Sequence, residues 1–457
     1  MRNNKKKMLI GLILNIILFF NLIILIISPQ VSPKFNLIAV KNQKSIAENL
    51  NFNKVNSNIY ETLNFTLDNL WSEAYKAFYY YQHADGSHDE NTTRIFTSFN
   101  VWSYFAMLEI SQVTNNSEYF YNYSIPSLEY ILSNLVNKST YGVYHWCYEN
   151  GSFPLTVYIN DYNWSTRIYS TYQAWTILSL LNAYNLTGNI TYLDDYAKPM
   201  LDFMITTLWD TQYNGFYREY FFNGNFDSEK ESWYQQWPII ALLESYKVTN
   251  NITYMEYANK TLNFLLNYLW DNSYGGFYFY CQKNGTTPET SKHIRSQAGG
   301  LSALIKAVDI LKNYTLIHDY IDPTLEFTIN HLWNTNFGQF ITNTSESGVG
   351  QDLIIRASEI SFLLTSLLEI PKSYNLSSYS NYILKSLSHI INNMKNGTYF
   401  CKEFNLISGI TNFDRWTIEQ MLPLILLCKV YNNYQFYTYF TTFFIWQKGL
   451  QEGEEVR

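Results

Sequence analysis

Six returns of one short phrase dictate what this chain can become. The phrase reads LWSEAYKAFYYY from Leu70, LVNKSTYGVYHW from Leu135, LWDTQYNGFYREY from Leu208, LWDNSYGGFYFY from Leu269, LWNTNFGQFIT from Leu332 and, in a worn form, MKNGTYFCKEF from Met394. Successive starts lie 65, 73, 61, 63 and 62 residues apart. An apolar phrase follows each copy, as in RIYSTYQAWTILSLLNAY and RSQAGGLSALIKAVDI. Aligning these phrases stacks Asn100, Gln173, Gln236, Gln297, Glu359 and Gln420, at spacings of 73, 63, 61, 62 and 61. Two markers holding one register over six copies indicate a repeat architecture, in which each unit buries its apolar face against its neighbours.

Each unit reads as two helices. The second phrase is apolar at helical spacing on nearly every side, which suits a fully buried helix. After a short polar link, a more charged helix such as Tyr192 to Leu208 ends at a Gly-Phe turn, where glycine permits a tight backbone that starts a small β-ribbon. Six hairpins can close on themselves with the apolar helices inside. The expected fold is therefore all-α, an (α/α)6 toroid over residues 45–435 with short β-ribbons at one mouth. The Trp and Phe residues of the turns (Trp71, Trp209, Trp270, Trp333, Phe216, Phe277) are expected to plug the core between loops. All inner-helix N-termini point to that mouth, where free N–H groups and helix dipoles favour anionic or hydroxyl-rich ligands.

Ahead of the repeats, Arg2, Lys5, Lys6 and Lys7 precede an apolar run over residues 8–27, long enough for a transmembrane signal anchor with its basic end in the cytoplasm. Residues 28–44 read as a linker and 436–457 as a tail. Sixteen Asn-x-Ser/Thr triplets, including Asn115, Asn185, Asn251, Asn313 and Asn375 in the short links, fit a membrane-anchored, extracytoplasmic glycoprotein. The net charge of −7 argues against nucleic acid as a partner. The four cysteines show no metal spacing, and no nucleotide loop or nucleophile elbow appears, so neither a metal nor a cofactor is expected.

Residues just before and within the first turns of the inner helices can reach the mouth. They include Asp89, Arg94, Asp161, Trp164, Arg167, Glu231, Trp233, His293, Arg295, Asp352, Arg356, Glu359, Asp414, Arg415, Trp416 and Glu419. Carboxylates, guanidinium forks and indoles are what sugars require: bidentate hydrogen bonds to hydroxyls and stacking on ring C–H faces. Paired carboxylates across such a cleft could hydrolyse a glycosidic bond. His293 could instead act as general base.

The runs Gln173-Ala174 with TILSLLNAYNLTG, YLDDYA and LWDTQYNGFY, and Gln297-Ala298 with LWDNSYGGFY, resemble the six-hairpin glycosidase superfamily, closest to the N-acylglucosamine 2-epimerase and cellobiose 2-epimerase group. The resemblance implies proton abstraction beside a sugar carbonyl by histidines at the mouth. His293 with Arg295 is similar to one such histidine site, and Arg415, Trp416 and Glu419 to the group's basic-aromatic-acid run. Position 296 is Ser where the group places an acid, and His389 falls in an outer helix. The resulting expectation is a carbohydrate-active protein. Its catalytic candidates are His293, Glu359, Asp414 and Glu419. The binding candidates are Arg94, Asp161, Trp164, Arg167, Gln173, Trp233, Gln236, Arg295, Gln297, Arg356, Arg415 and Trp416. A glycoside hydrolase and a non-catalytic glycan-binding toroid are the alternatives.

Overall fold

The computed structural model describes residues 52–154, 164–221, 224–227, 229–349, 352–370 and 377–432. The expected anchor (8–27), the linker and the tail lie outside these residues. Among the described residues, no helix is long and apolar enough to cross a membrane.

In chain order the helices are α1 (Phe52–Asn69), α2 (Thr97–Thr114), α3 (Ile125–Tyr130), α4 (Ser170–Thr187), α5 (Lys198–Thr207), α6 (Ser232–Thr249), α7 (Ile252–Tyr268), α8 (Ile294–Leu311), α9 (Asp322–His331), α10 (Ala357–Glu369), α11 (Ser377–Asn393) and α12 (417–432). Even-numbered helices form the inner wall and odd-numbered helices the outer one. The inner helices are buried over most of their length, α4 from Ser170 to Ala183 and α8 from Ile294 to Val308. Single residues in the left-handed conformation, Asn115, Gly188, Asn250 and Lys312, end four of them at the short links.

The outer wall departs from plain α-helix at a repeated place. α3, α5 and α9 each carry proline in their first turn and continue from π-wound segments, Phe120–Ser124, Tyr192–Ala197 and Ile317–Ile321. Proline has no N–H to give to the preceding turn and crowds the carbonyl four residues back, so the helix widens there rather than stopping.

Two kinds of β-pairing organise the mouth. Within each repeat the phrase after the outer helix folds back on itself, as in Trp71↔Phe78, Trp270↔Phe277 and Trp333↔Phe340. Between repeats, the strand entering each inner helix pairs with the strand of the next repeat: 95–96 with 146–147, 168–169 with 219–220, 229–231 with 280–282, 292–293 with 343–344, and 354–355 with 403–405. The sixth pairing, Arg415↔Gln82 and Trp416↔Tyr81, joins the end of the chain to its beginning and closes the ring. Most turn aromatics are core plugs as expected, Phe216 and Phe277 being fully buried and Trp209, Trp270 and Trp333 nearly so, whereas Trp71 is only half-buried.

The stacked amides hold these turns. Asn100, Gln173, Gln297 and Gln420 each accept from a turn N–H (Phe78 2.7 Å, Val143 2.9 Å, Phe277 2.8 Å, Phe400 2.8 Å) and donate to a carbonyl of the same turn. In the third repeat the residue in this register is Gln235, bonded to Phe216 at 2.7 Å both ways, and not Gln236. The fifth repeat has Ile360 there rather than Glu359, and Gln339 supplies the amide to Phe340 N–H from within the turn (2.7 Å). Gln173 and Gln297, expected to bind substrate, are thus spent on the backbone, buried and bonded at both amide atoms. All four cysteines are buried and free.

Candidate active site

Helix N-caps normally carry Ser, Thr, Asp or Asn to satisfy the first-turn N–H groups. Here the inner helices start at Phe96, Tyr169, Glu231, His293 and Arg356, none of which caps its helix through its side chain, and Trp416 stands at the same position before α12. Large aromatic and charged groups have displaced caps at equivalent positions of the ring, and these groups surround the mouth. Three residues further along stand Phe99, Tyr172, Tyr234, Ser296, Glu359 and Glu419, forming the next layer down. Below them, Trp102, Trp175, Trp237 and Phe362 pack at centroid distances of 5.3 to 6.1 Å, edge to face except for the tilted Trp237–Phe362 pair, and plug the axis of the toroid. Trp233 packs on this plug, 5.1 Å from Phe362 and 5.7 Å from Trp237.

The polar layer is richest around α6, α8, α10 and α12. Arg295 donates to Glu231 at 2.9 Å. Arg356 bonds Glu403 at 3.0 Å and lies 3.6 Å from Glu359. Burial raises the Glu231 carboxyl, with Arg295 and Arg218 pulling the other way. Burial also raises the phenols of Tyr172 and Tyr234, which stay protonated and able to donate. Burial pushes the Glu419 carboxyl up to about 7 against the pull of the Ser358 N–H and hydroxyl, both 2.7 Å away; the neighbouring Glu359 adds to the rise. Three buried polar atoms here have no partner among the described residues: Arg295 Nε, Ser296 Oγ and Gln236 Oε1. These atoms have hydrogen-bonding capacity left for a polar ligand, as do others elsewhere in the protein.

His293 sits at the edge of this layer. Its ring stacks on Phe279 at 4.2 Å and 23°. Burial, with Arg295 adding to it, holds its pKa down at about 4, so the imidazole is neutral at physiological pH. His145, with its pKa at about 3 through burial, packs 5.4 Å from Tyr172 and 4.6 Å from Trp164.

The remaining sequence candidates divide. Arg94 lies over the Trp146 ring at 4.3 Å, Arg167 bonds Glu219 at 3.2 Å, and Trp164 is 43% exposed, all on the α2–α4 side of the rim. Trp416 stacks with Tyr81 at the ring closure, while Lys402 lies 3.9 Å over its face. Arg415 is committed to that closure, bonding Gln82 at 2.7 Å and the Ala84 carbonyl at 3.0 Å, which accounts for it without a ligand. Asp414 precedes the closing strand two positions before the helix start, beside Tyr81 rather than in the Glu359–Glu419 group. Gln236 bridges α6 to α8 by donating to the Ser296 carbonyl at 2.8 Å. Asp161 lies outside the described residues. Tyr172 and Tyr234 were not among the candidates, although counting three residues on from each inner-helix start finds them at once. Among the described residues no group of His, Cys, Asp and Glu is placed to hold a metal ion.

The model of the N-acylglucosamine 2-epimerase family matches residues 171–298, from the start of α4 into the first turn of α8. No curated protein matches the sequence. Among solved structures, a sugar epimerase from a ruminal bacterium is 11% identical with a TM-score of 0.68, over 82% of this chain and 98% of that one. Cellobiose 2-epimerase from Bacillus thermoamylovorans is 12% identical with a TM-score of 0.66, over 81% and 98%. A GH76 α-mannanase from Bacteroides thetaiotaomicron is 14% identical with a TM-score of 0.64, over 83% and 96%. The chain therefore has the (α/α)6 fold of the six-hairpin glycosidase superfamily and resembles, within it, the N-acylglucosamine 2-epimerase group.

Proposed function

We propose that the mouth binds a sugar and exchanges the proton beside its carbonyl, as a 2-epimerase does. The observation that carries this reading is the pairing of a neutral, stacked imidazole with a guanidinium at the start of α8: His293 and Arg295. A neutral imidazole can take the proton, and a nearby guanidinium stabilises the enediolate that forms. Tyr172, Tyr234 and the unpartnered Ser296 hydroxyl supply hydrogen bonds to sugar hydroxyls, and Trp233 offers an apolar ring face. The low basicity of His293 slows abstraction unless substrate raises it, and a bound sugar's developing negative charge acts in that direction.

Hydrolysis is the second reading, and one observation favours it. Glu419 with a pKa of about 7, next to Glu359, has the raised acid of a glycosidase pair. Comparing His293→Ala with Glu419→Gln separates the two. The first reading expects solvent-deuterium exchange into sugar to vanish in H293A, with the fold intact by circular dichroism, and to persist in E419Q. An unchanged exchange rate in H293A removes His293 as the base.

Location belongs to the same proposal. The triplet asparagines Asn115, Asn251 and Asn313 are exposed at the short links, opposite the mouth, where glycans would leave the mouth open. Finding those asparagines bare in mass spectra of the protein from its own cell surface would count against the extracytoplasmic reading.

A further inference from the structure

The aromatic plug has a second side. Thirteen residues after each inner-helix start stand Glu109, Asn182, Glu244, Lys306, Glu369 and Lys429, one polar residue per inner helix, forming a collar at the face opposite the mouth. Between collar and plug lies a cavity of about 330 Å³. Its depth follows from the register: seven residues of helix separate Trp102 from Glu109, about 10 Å. Halfway up, nine residues after each start, the wall is Phe105, Leu178, Ile240 and Ile425 on four helices, with hydroxyls from Ser302 and Thr365 on the other two. The chamber is an apolar well with an aromatic floor and an ionic rim.

Charges on the rim do not balance. Lys306 is matched with Glu244 at 2.5 Å, and Glu244 also meets Lys247 of its own helix at 3.8 Å, so that side holds no unmatched carboxylate. Lys429 is shared between Glu369 at 3.0 Å and Glu109 at 3.5 Å, which leaves one carboxylate in excess on the α2–α10–α12 side. Asn182, on the next inner helix, is neutral and accepts from Tyr104 at 2.9 Å. Burial raises the Glu109 carboxyl, with Lys429 pulling the other way and Glu369 adding to the rise. Glu109 lines the same cavity as Phe105 and Trp102 of its own helix, and aromatic rings attract cations.

We propose that this chamber is a second binding site, separate from the mouth, for a small organic cation: an ammonium group at the Glu109 side of the collar and an apolar or aromatic body in the well. A sugar fits poorly, because four of the six wall positions offer it no hydrogen bond. An anion meets the carboxylate excess. The proposal stands on the collar and the well alone and is independent of the chemistry proposed for the mouth.

Titrating the full chain with phenethylammonium chloride, followed by calorimetry and tryptophan fluorescence, tests it. Saturable binding is expected, about tenfold weaker in Glu109→Gln through loss of one charge contact and unchanged in His293→Ala. The neutral isostere 2-phenylethanol is expected to bind much more weakly than the ammonium. Leu178→Trp, which fills the well without touching the collar, is expected to abolish binding while the fold persists by circular dichroism. Equal binding of the alcohol, retention of ammonium affinity in both E109Q and L178W, or no saturation by the ammonium would each overturn the proposal.

Discussion

Replacing Asp271 with Asn should unfold this protein far more readily than a single buried contact would lead one to expect. Lys292, fully buried, donates to Asp271 at 2.6 Å and to the Gly275 carbonyl at 2.6 Å, with its ammonium 4.0 Å over the Phe327 ring. Asp271 is 1% exposed and also accepts from the Ser273 and Tyr274 N–H groups at 2.8 and 3.2 Å. Asn retains a carbonyl oxygen for the turn but removes the negative charge, stranding an ammonium out of water. Breaking one side of a buried pair costs about 3–5 kcal/mol, much more than the net worth of the pair itself. The double variant Asp271→Asn, Lys292→Met removes both charges and should recover most of the loss. Urea unfolding read by tryptophan fluorescence measures both variants. A D271N cost below about 1 kcal/mol, or a double variant no better than the single one, would refute the claim that a buried ion pair secures this ribbon. The preceding repeat repeats the device with Lys230 and Asp210 at 2.9 Å, so D210N should behave alike.

Three further outcomes follow from the same geometry. Gln297→Leu leaves the Phe277 N–H and carbonyl buried without partners and should cost about 2–6 kcal/mol in urea unfolding, since each orphaned group costs about 1–3; a cost near zero would mean the turn is held by other contacts. Glu419 has its folded-state pKa raised from 4.5 to about 7 by burial, so the native state prefers the protonated acid. Stability should therefore fall by about 3 kcal/mol as pH rises from about 4.5 through about 7, and Glu419→Gln should flatten that slope; an unaltered slope in E419Q assigns it to other groups. Burial pushes the Cys147 thiol up to about 11 and the Cys281 and Cys401 thiols up to about 12, so a thiol reagent should label none of them at neutral pH until denaturant is added.

The toroid was legible because its signal is redundant: six copies of two phrases leave little choice about which helices face inward. What a single sequence could not supply was exact register. Gln235 and Gln236 are adjacent amides, and only the hydrogen bond to Phe216 distinguishes the structural one. In the fifth repeat the amide comes from Gln339 inside the turn, a swap between elements that linear alignment cannot see. The mouth was legible in kind, since charged and aromatic residues stand where caps should be. It was not legible in pairing. Arg295 meets Glu231 and Arg415 meets Gln82 across repeats, contacts set by how the ring closes rather than by sequence distance. The collar is not legible in the sequence because its members stand a whole repeat apart and differ in charge from one repeat to the next.

Proton exchange at the mouth is the central claim, and one measurement addresses it directly. Purified protein is incubated with a pool of mono- and disaccharides in D2O and followed by NMR. The account predicts deuterium entering the carbon beside the anomeric centre, with every glycosidic bond intact. New reducing ends without deuterium entry would contradict it and move the chemistry from His293 to Glu359 and Glu419.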